Sequence, residues 1–472
     1  MTENFKKLYQ YLPVIIIYPL LFYCKINAID ITVISIITGC LAALFWDKLN
    51  PAFIFLFSIF PFLLNADIYE LGSGSVFVSC LVSGVGVYII TSLILLLVIA
   101  LMHGKLMKFE ATGIEKYILV IFMIIILSTI RGILITSVVY PFEAFRSIFI
   151  IFLSFFLFYL IFNLTRTIDE IKLNLRLIFL ILFVSGIISF TGVYFYGYLK
   201  TSPVFAFSEP QSERISALLH FPFLFLAIAM IFTPNKMEKI FYILTAYTSY
   251  CCVLYSYSFL SFVLTITLLI AALLFFAVIK QFKKSLVVLI FLIIISCSVS
   301  FLMNTELNKY FGNNFSIKQE YRIPSIDGNL MKITLDEKPN INLTEDSIFN
   351  KSREIVQEYP VFGLGITGAE YFEKSFYNML SQTGIAGISA VLFLIIVLII
   401  KTYRLEKYYK NKDKFIASFL YGYIFFISGS LALSFIDDIF NSDAIIIAML
   451  ILTAFVLRIE TIFKNSSGVN YE

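Results

Sequence analysis

Hydrophobic and polar positions in this chain do not alternate; they come in long blocks. Apolar runs such as SVFVSCLVSGVGVYIITSLILLLVIALM, from Ser75 to Met102, are divided by short polar intervals. A helix needs about 20 apolar residues in succession to cross hydrocarbon, and several of these runs reach that length. A spanning β-barrel would instead show short segments of alternating hydrophobicity, which the chain lacks. The pattern therefore predicts an all-α, polytopic integral membrane protein. Fourteen candidate spans lie near 8–24, 31–46, 51–65, 76–102, 117–130, 142–163, 173–197, 215–233, 240–256, 258–279, 285–303, 377–400, 415–436 and 444–463. The third is short and opens at Pro51, so it reads as a span or a re-entrant segment, and the total as twelve to fourteen. The opening MTENFKKLYQYLPVIII resembles a signal peptide but has no small-residue cleavage site, and it is read as the first span.

The polar intervals alternate in charge. Clusters at Lys105, Lys108 and Lys116, at Arg166, Lys172 and Arg176, at Lys280, Lys283 and Lys284, and between Lys401 and Lys414 fall on one side. With Lys6, Lys7, Lys48, Lys236, Lys239, Arg458 and Lys464 they make 22 of the 35 lysines and arginines. The short loops of the other side carry only Lys25, Arg131, Arg146, Lys200 and Arg214. The positive-inside rule then places both termini in the cytoplasm.

One interval breaks the rhythm. Residues 304–376 form a large extracytoplasmic loop between spans in 1–303 and three more in 377–472. A loop of that length is functional or disordered more often than it is a plain connector. Its second half, TEDSIFNKSREIVQEYP, reads as a short amphipathic helix. N-cap groups stand at Thr344 to Ser347, Ile348, Ile355, Val356 and Tyr359 lie near one face, and Pro360 is the stop.

Composition adds to this picture mainly by exclusion. Hydrophobic residues make up 60% of the 472 and charged residues 14%, against roughly a quarter charged in soluble domains. The net charge of +4 carries no nucleic-acid signal. All six cysteines fall in apolar runs, without a disulfide framework or a CxxC pair. Two histidines and no Cys–His spacing argue against a zinc site, and no Walker, Rossmann or GxSxG motif occurs. We therefore expect no metal and no cofactor.

The candidate chemistry lies in the arginines. There are nine, and five of them, Arg131, Arg146, Arg214, Arg322 and Arg353, are predicted on the extracytoplasmic side. Lysine serves for topology, whereas arginine offers a planar fork that grips phosphate oxygens bidentately. Outward arginines also oppose the positive-inside rule, so topology does not explain them; pairing with nearby acids or lipid headgroups is the plainer alternative. Arg131 and Arg146 bracket one short outer loop. SEPQSER, from Ser208 to Arg214, sets Glu209, Glu213 and Arg214 at the opening of the eighth span. Acids in a first turn are good capping groups, which is one reading. The other has Glu209 or Glu213 accepting a proton, its basicity raised by partial desolvation, while Arg214 holds phosphate. His220 reads as a histidine satisfied within its helix. Asp437, Asp438 and Asp443 read as a solvated acidic turn.

The run FNKSREIVQEYPVFGLGITG followed by SFYNMLSQTGIAGISAVLFL resembles the shared signature of bacterial O-antigen polymerases and O-antigen ligases. That signature has an arginine on an outer helix, a P-x-x-G-x-G turn, a short segment with an asparagine followed by a leucine, and a G-x-x-G helix. Here these are Arg353, Pro360, Gly363, Gly365, Asn378, Leu380, Gly384 and Gly387. SEPQSER is similar to the polymerases' F-x-E-P-S stretch, with Gln211 departing from serine. Where ligases commonly have histidine before the asparagine, this chain has Tyr377, which favours the polymerase.

The resemblance implies a GT-C-like membrane glycosyltransferase acting on undecaprenyl-pyrophosphate-linked oligosaccharides at the periplasmic face of the inner membrane. It further implies a polysaccharide co-polymerase that sets chain length as partner, alongside membrane lipids, and inversion at the anomeric carbon. Arg353 and Glu209 would be catalytic. Arg131, Arg146, Arg214, Glu213, Gly363, Gly365 and Asn378 would bind the pyrophosphate and glycan, the glycines by clearing room for the sugar chain and hinging the loop over it. An O-antigen ligase, which differs in acceptor, and a lipid-linked oligosaccharide flippase are the rival expectations. A flippase should show charges buried mid-span, related halves and short loops.

Overall fold

The computed structural model describes residues 110–135, 141–196, 211–255, 354–365, 375–435 and 443–467, with isolated helical positions at 270, 286, 289–290 and 293–294. The spans expected before residue 110 and over 258–303, and most of the loop 304–376, lie outside the described residues. Within them the backbone is helix and connecting turn throughout. The long helices are α1 (Glu115–Ile135), α2 (Pro141–Leu164), α3 (Ile168–Tyr196), α4 (Gln211–Met230), α5 (Lys236–Tyr255), α6 (Ser375–Tyr409), α7 (Lys414–Ser434) and α8 (Asp443–Ser467). Each coincides with an expected span, and α1, α6, α7 and α8 contain segments long and apolar enough to cross a membrane.

Local chemistry accounts for where several of these helices begin. Thr167 and Glu170 form a reciprocal capping box ahead of α3. The Glu170 carboxylate accepts from the Arg166 amide at 2.7 Å and the Thr167 amide at 3.2 Å, and the Glu170 amide donates to Thr167 Oγ1 at 3.2 Å. Asp413 caps α7, accepting from the amides of Phe415 and Ile416 at 3.1 and 3.3 Å. The expected loop over 401–414 is in fact mostly helix, because α6 continues to Tyr409. Hydropathy marks where lipid ends, but a helix satisfies its own backbone and need not stop there. Leu405 and Tyr409 on this extension are buried, and Tyr408 packs on Phe463 of α8 with ring centroids 4.3 Å apart.

α4 packs between α5 and α7, α5 in turn on α3, α6 between α7 and α1, and α8 on α2. The centre is aromatic. Phe223 of α4 meets Phe426 of α7 edge to face at 5.0 Å, and Phe179 of α3 meets Tyr242 of α5 at 4.9 Å. Tyr423, fully buried in α7, shares a 2.6 Å hydrogen bond with Thr453 Oγ1 of α8. Thr453 also bonds to the Met449 carbonyl at 2.6 Å, so Tyr423→Phe strands no group. Its expected cost is about 1 kcal/mol, read as a modest fall in the thermal unfolding midpoint; a loss of the fold would contradict this packing.

Contacts sort the connections by end. At one end Lys172 pairs with Asp413 at 2.7 Å, Arg176 with Glu238 at 2.8 Å, Lys401 with Glu460 at 3.0 Å, and Arg458 with Glu110. These are the lysine-rich intervals that charge alternation assigned to a common side. At the other end Phe376, opening α6, stacks on Phe435, closing α7, at 4.3 Å. Between the ends large apolar side chains stand exposed, among them Leu119, Met123 and Ile130 on α1 and Phe393 and Ile396 on α6. Such a surface suits lipid as its solvent.

Candidate functional site

The described part of the large loop, 354–365, lies at the end away from the lysines. Residues 354–358 form a helical turn that closes at Tyr359, whose amide donates to the Ile355 carbonyl at 2.8 Å, before Pro360. The expected stop at Pro360 is thus observed. Ile355, Val356 and Tyr359 are half-buried, while Glu354, Gln357 and Glu358 are exposed, as an amphipathic turn requires.

Beyond Pro360 the chain turns sharply and inserts into a break in α6. In an uninterrupted helix the amides of Ile385 and Ala386 would donate to the carbonyls of Ser381 and Gln382. Gly384, at φ 65 and ψ −165, removes both bonds. The turn replaces them. Ile385 N donates to Pro360 O at 3.0 Å and Ala386 N to Val361 O at 3.1 Å, while Leu364 N and Gly365 N donate to Ser381 O at 2.9 Å and Gln382 O at 2.8 Å. These four bonds give partners to the two amides and the two carbonyls that the break separates. Left buried and unpaired, each would cost about 1–3 kcal/mol.

Three glycines make this approach possible. Gly363, Gly365 and Gly384 all have positive φ, where a side chain is strained. A Cβ on Gly363 would lie 2.4 Å from Ser381 O, one on Gly365 2.7 Å from Ser128 O, and one on Gly384 2.4 Å from Val361 O. The clearance at Gly363 and Gly365, expected from sequence to admit glycan, is filled by the chain's own backbone. Their observed work is to seat the turn.

α1 forms the third wall. The Ser128 hydroxyl, buried near the outer end of α1, points between the carbonyls of Phe362 and Gln382 and bonds to both. One helical turn on, the guanidinium carbon of Arg131 sits 5.3 Å from the centre of the Tyr359 ring. Arg131 is half-buried, and among the described residues no carboxylate forms an ion pair with it. Arg176 and Arg458, at the lysine-rich end, each have one.

The other expected site residues fall as follows. Asn378 is 1% exposed in the first turn of α6, and its carbonyl accepts from Ser381 Oγ at 2.9 Å. α4 runs antiparallel to α7, with Gly429 beside Phe221 and Gly422 beside Ala229, so the first turn of α4, bearing Glu213 and Arg214, lies at the same end as the turn and the break in α6. α2 runs from that end towards Asn163, which accepts from the Glu110 amide at 2.7 Å, so Arg146, six positions into α2, is on the same side. Glu209 and Arg353 lie outside the described residues. His220 is buried against Ser249, with Nδ1 3.2 Å from its Oγ, as a satisfied histidine should be. Among the described residues no three His, Cys, Asp or Glu side chains cluster as metal ligands.

Sequence reasoning passed over Ser128 and gave Tyr359 only a packing role. The signal for Ser128 was present: the small polar pair Ser128–Thr129 interrupts an apolar span next to Arg131, and small polar residues mark close contacts between membrane helices. No family model and no curated protein sequence matches the chain.

Proposed function

We propose that the protein is a metal-independent membrane glycosyltransferase that polymerises lipid-linked oligosaccharide repeat units, an O-antigen polymerase. What supports the reading is one arrangement. The turn Pro360 to Gly365, the break at Gly384 and the arginine-bearing ends of α1, α2 and α4 share the end of the bundle opposite the lysine-rich loops. These are the motifs that carry the resemblance and the arginines that topology leaves unexplained.

The chemistry requires such an end. Donor and acceptor are both anchored in the outer leaflet, so the reacting atoms meet at the membrane surface, here the periplasmic face of the inner membrane with both termini in the cytoplasm. A hydroxyl oxygen at the non-reducing end of one repeat unit attacks the anomeric carbon of a glycan carried on undecaprenyl pyrophosphate. The bond from that carbon to the phosphate oxygen breaks, and its electron pair leaves with the lipid diphosphate. Glu209 takes the hydroxyl proton. Arg353, with Arg131, Arg146 and Arg214, meets the charge growing on the leaving group, where preorganised donors lower a barrier most. Glu213 contacts the glycan, whereas Asn378, buried in the first turn of α6, supports that end without touching it. A chain-length-setting co-polymerase is the expected protein partner.

A deletion strain tests the reading. Loss of a polymerase leaves lipopolysaccharide with a single repeat unit on its core. Core alone, with glycan retained on undecaprenol, would make the protein a ligase. Substrate accumulating at the cytoplasmic leaflet would make it a flippase. Unchanged long chains would remove all three.

A further inference from the structure

Arg131 lacks an ion-pair partner among the described residues, yet its position is specified. The face of an aromatic ring attracts a guanidinium through the ring quadrupole and consumes none of its five N–H donors. A carboxylate partner would neutralise the charge and occupy the fork. Holding an arginine with a ring therefore keeps it charged, placed and available.

The ring that does this is itself anchored on both sides. The Tyr359 carbonyl accepts from Gly363 N at 3.1 Å, and the next carbonyl, Pro360 O, takes the Ile385 amide of α6. From the other direction Ser128, three residues before Arg131 on one face of α1, bonds to Phe362 O of the same turn. Tyr359 and Arg131 are thus registered to each other through a hydroxyl and a set of backbone bonds, all at the break in α6.

We propose that Tyr359 is a positioning residue for Arg131, its ring holding the guanidinium in the orientation that receives the lipid diphosphate. That orientation is conditional on the turn Pro360 to Gly365 being seated at the break in α6. This inference rests on the polymerase reading, which assigns Arg131 to the diphosphate.

The test uses the full chain in lipid nanodiscs with undecaprenyl pyrophosphate as probe, measuring its Kd and the thermal unfolding of each variant. Tyr359→Leu weakens binding about tenfold, whereas Tyr359→Phe, which keeps the ring, stays within about twofold of the parent. Arg131→Ala weakens binding at least as much, and Arg131→Ala with Tyr359→Leu is no weaker than Arg131→Ala alone. Tyr359→Met, of similar length without a ring, serves if the leucine variant does not fold, and it weakens binding equally. Phenylalanine would rescue a merely structural tyrosine too, but the loss from Tyr359→Leu would then add to that from Arg131→Ala, so non-additivity is what separates the two roles. Tyr359→Leu or Tyr359→Met binding like the parent while Arg131→Ala is weakened overturns the positioning role and leaves the polymerase reading standing. Arg131→Ala binding like the parent overturns the diphosphate role of Arg131, and this inference with it.

Discussion

Arg353→Ala is expected, on the polymerase reading, to abolish long polysaccharide chains and leave core bearing one repeat unit, with the protein at its normal level in the membrane. In the proposed reaction the leaving group is a lipid diphosphate, and the sequence shows no metal-binding motif from which to supply positive charge. A guanidinium is the remaining group that stays charged at any working pH and offers paired donors to phosphate. Removing one preorganised donor of this kind costs about 10²–10³ in rate. Polymer length depends on many successive transfers, so a loss of that size erases the ladder of chain lengths on a gel. Arg353→Lys keeps the charge but loses the fork and is also impaired. A normal ladder from Arg353→Ala, with an immunoblot showing equal protein, would withdraw the catalytic assignment. A normal ladder from Arg353→Lys alone would reduce the role to a point charge.

The second large effect is expected from a methyl group. Gly363→Ala places a Cβ 2.4 Å from Ser381 O and 2.7 Å from the Gln382 carbonyl carbon, both backbone atoms of α6. Neither moves without moving the helix. The residue also sits at φ 60, where a side chain costs about 1–2 kcal/mol before any collision. The turn must lift, and the four backbone bonds across the break go with it. Hydrogen exchange should then show the amides of Leu364, Gly365, Ile385 and Ala386 losing protection together, and long chains should disappear as they do in Arg353→Ala. Gly113→Ala is the matched control. Its φ is 77, but the nearest neighbour of its Cβ is Lys401 Nζ at 3.6 Å, ordinary van der Waals contact with the far end of a flexible side chain. That variant bears only the backbone cost and keeps its polymer. Equal behaviour of the two variants would mean that the turn is not seated as described.

Much of the fold was legible because the signals are local. The spans that became α1 to α8 were visible as apolar blocks, and Pro360 as a stop, since proline cannot continue a helix whatever surrounds it. The extension of α6 to Tyr409 was not legible. Its lysines and tyrosines read as a loop, while Leu405, Glu406 and Tyr409 are buried there and Tyr408 packs on α8. The candidate site was legible in its parts and not in its arrangement. Arg131 stood out because it opposed the topology rule, and Gly363, Gly365 and Gly384 because they sit in a recognisable spacing. That these glycines answer to one another across a broken helix was invisible, because φ and close approach have no sequence signature beyond glycine itself.

What this sequence determined by itself was the solvent and the charge asymmetry: helices for lipid, lysines gathered at one end, five of the nine arginines assigned to the other. Those properties follow from hydropathy and charge summed over neighbouring residues, and neighbours are what a sequence displays. Only the tertiary structure decided that Ser128 meets a carbonyl 234 positions away, that a turn replaces the missing hydrogen bonds of α6, and that Tyr359 rather than an acid faces Arg131. Backbone groups at a helix break must find partners wherever the fold supplies them, and a partner found through space leaves no trace in the residues on either side of it.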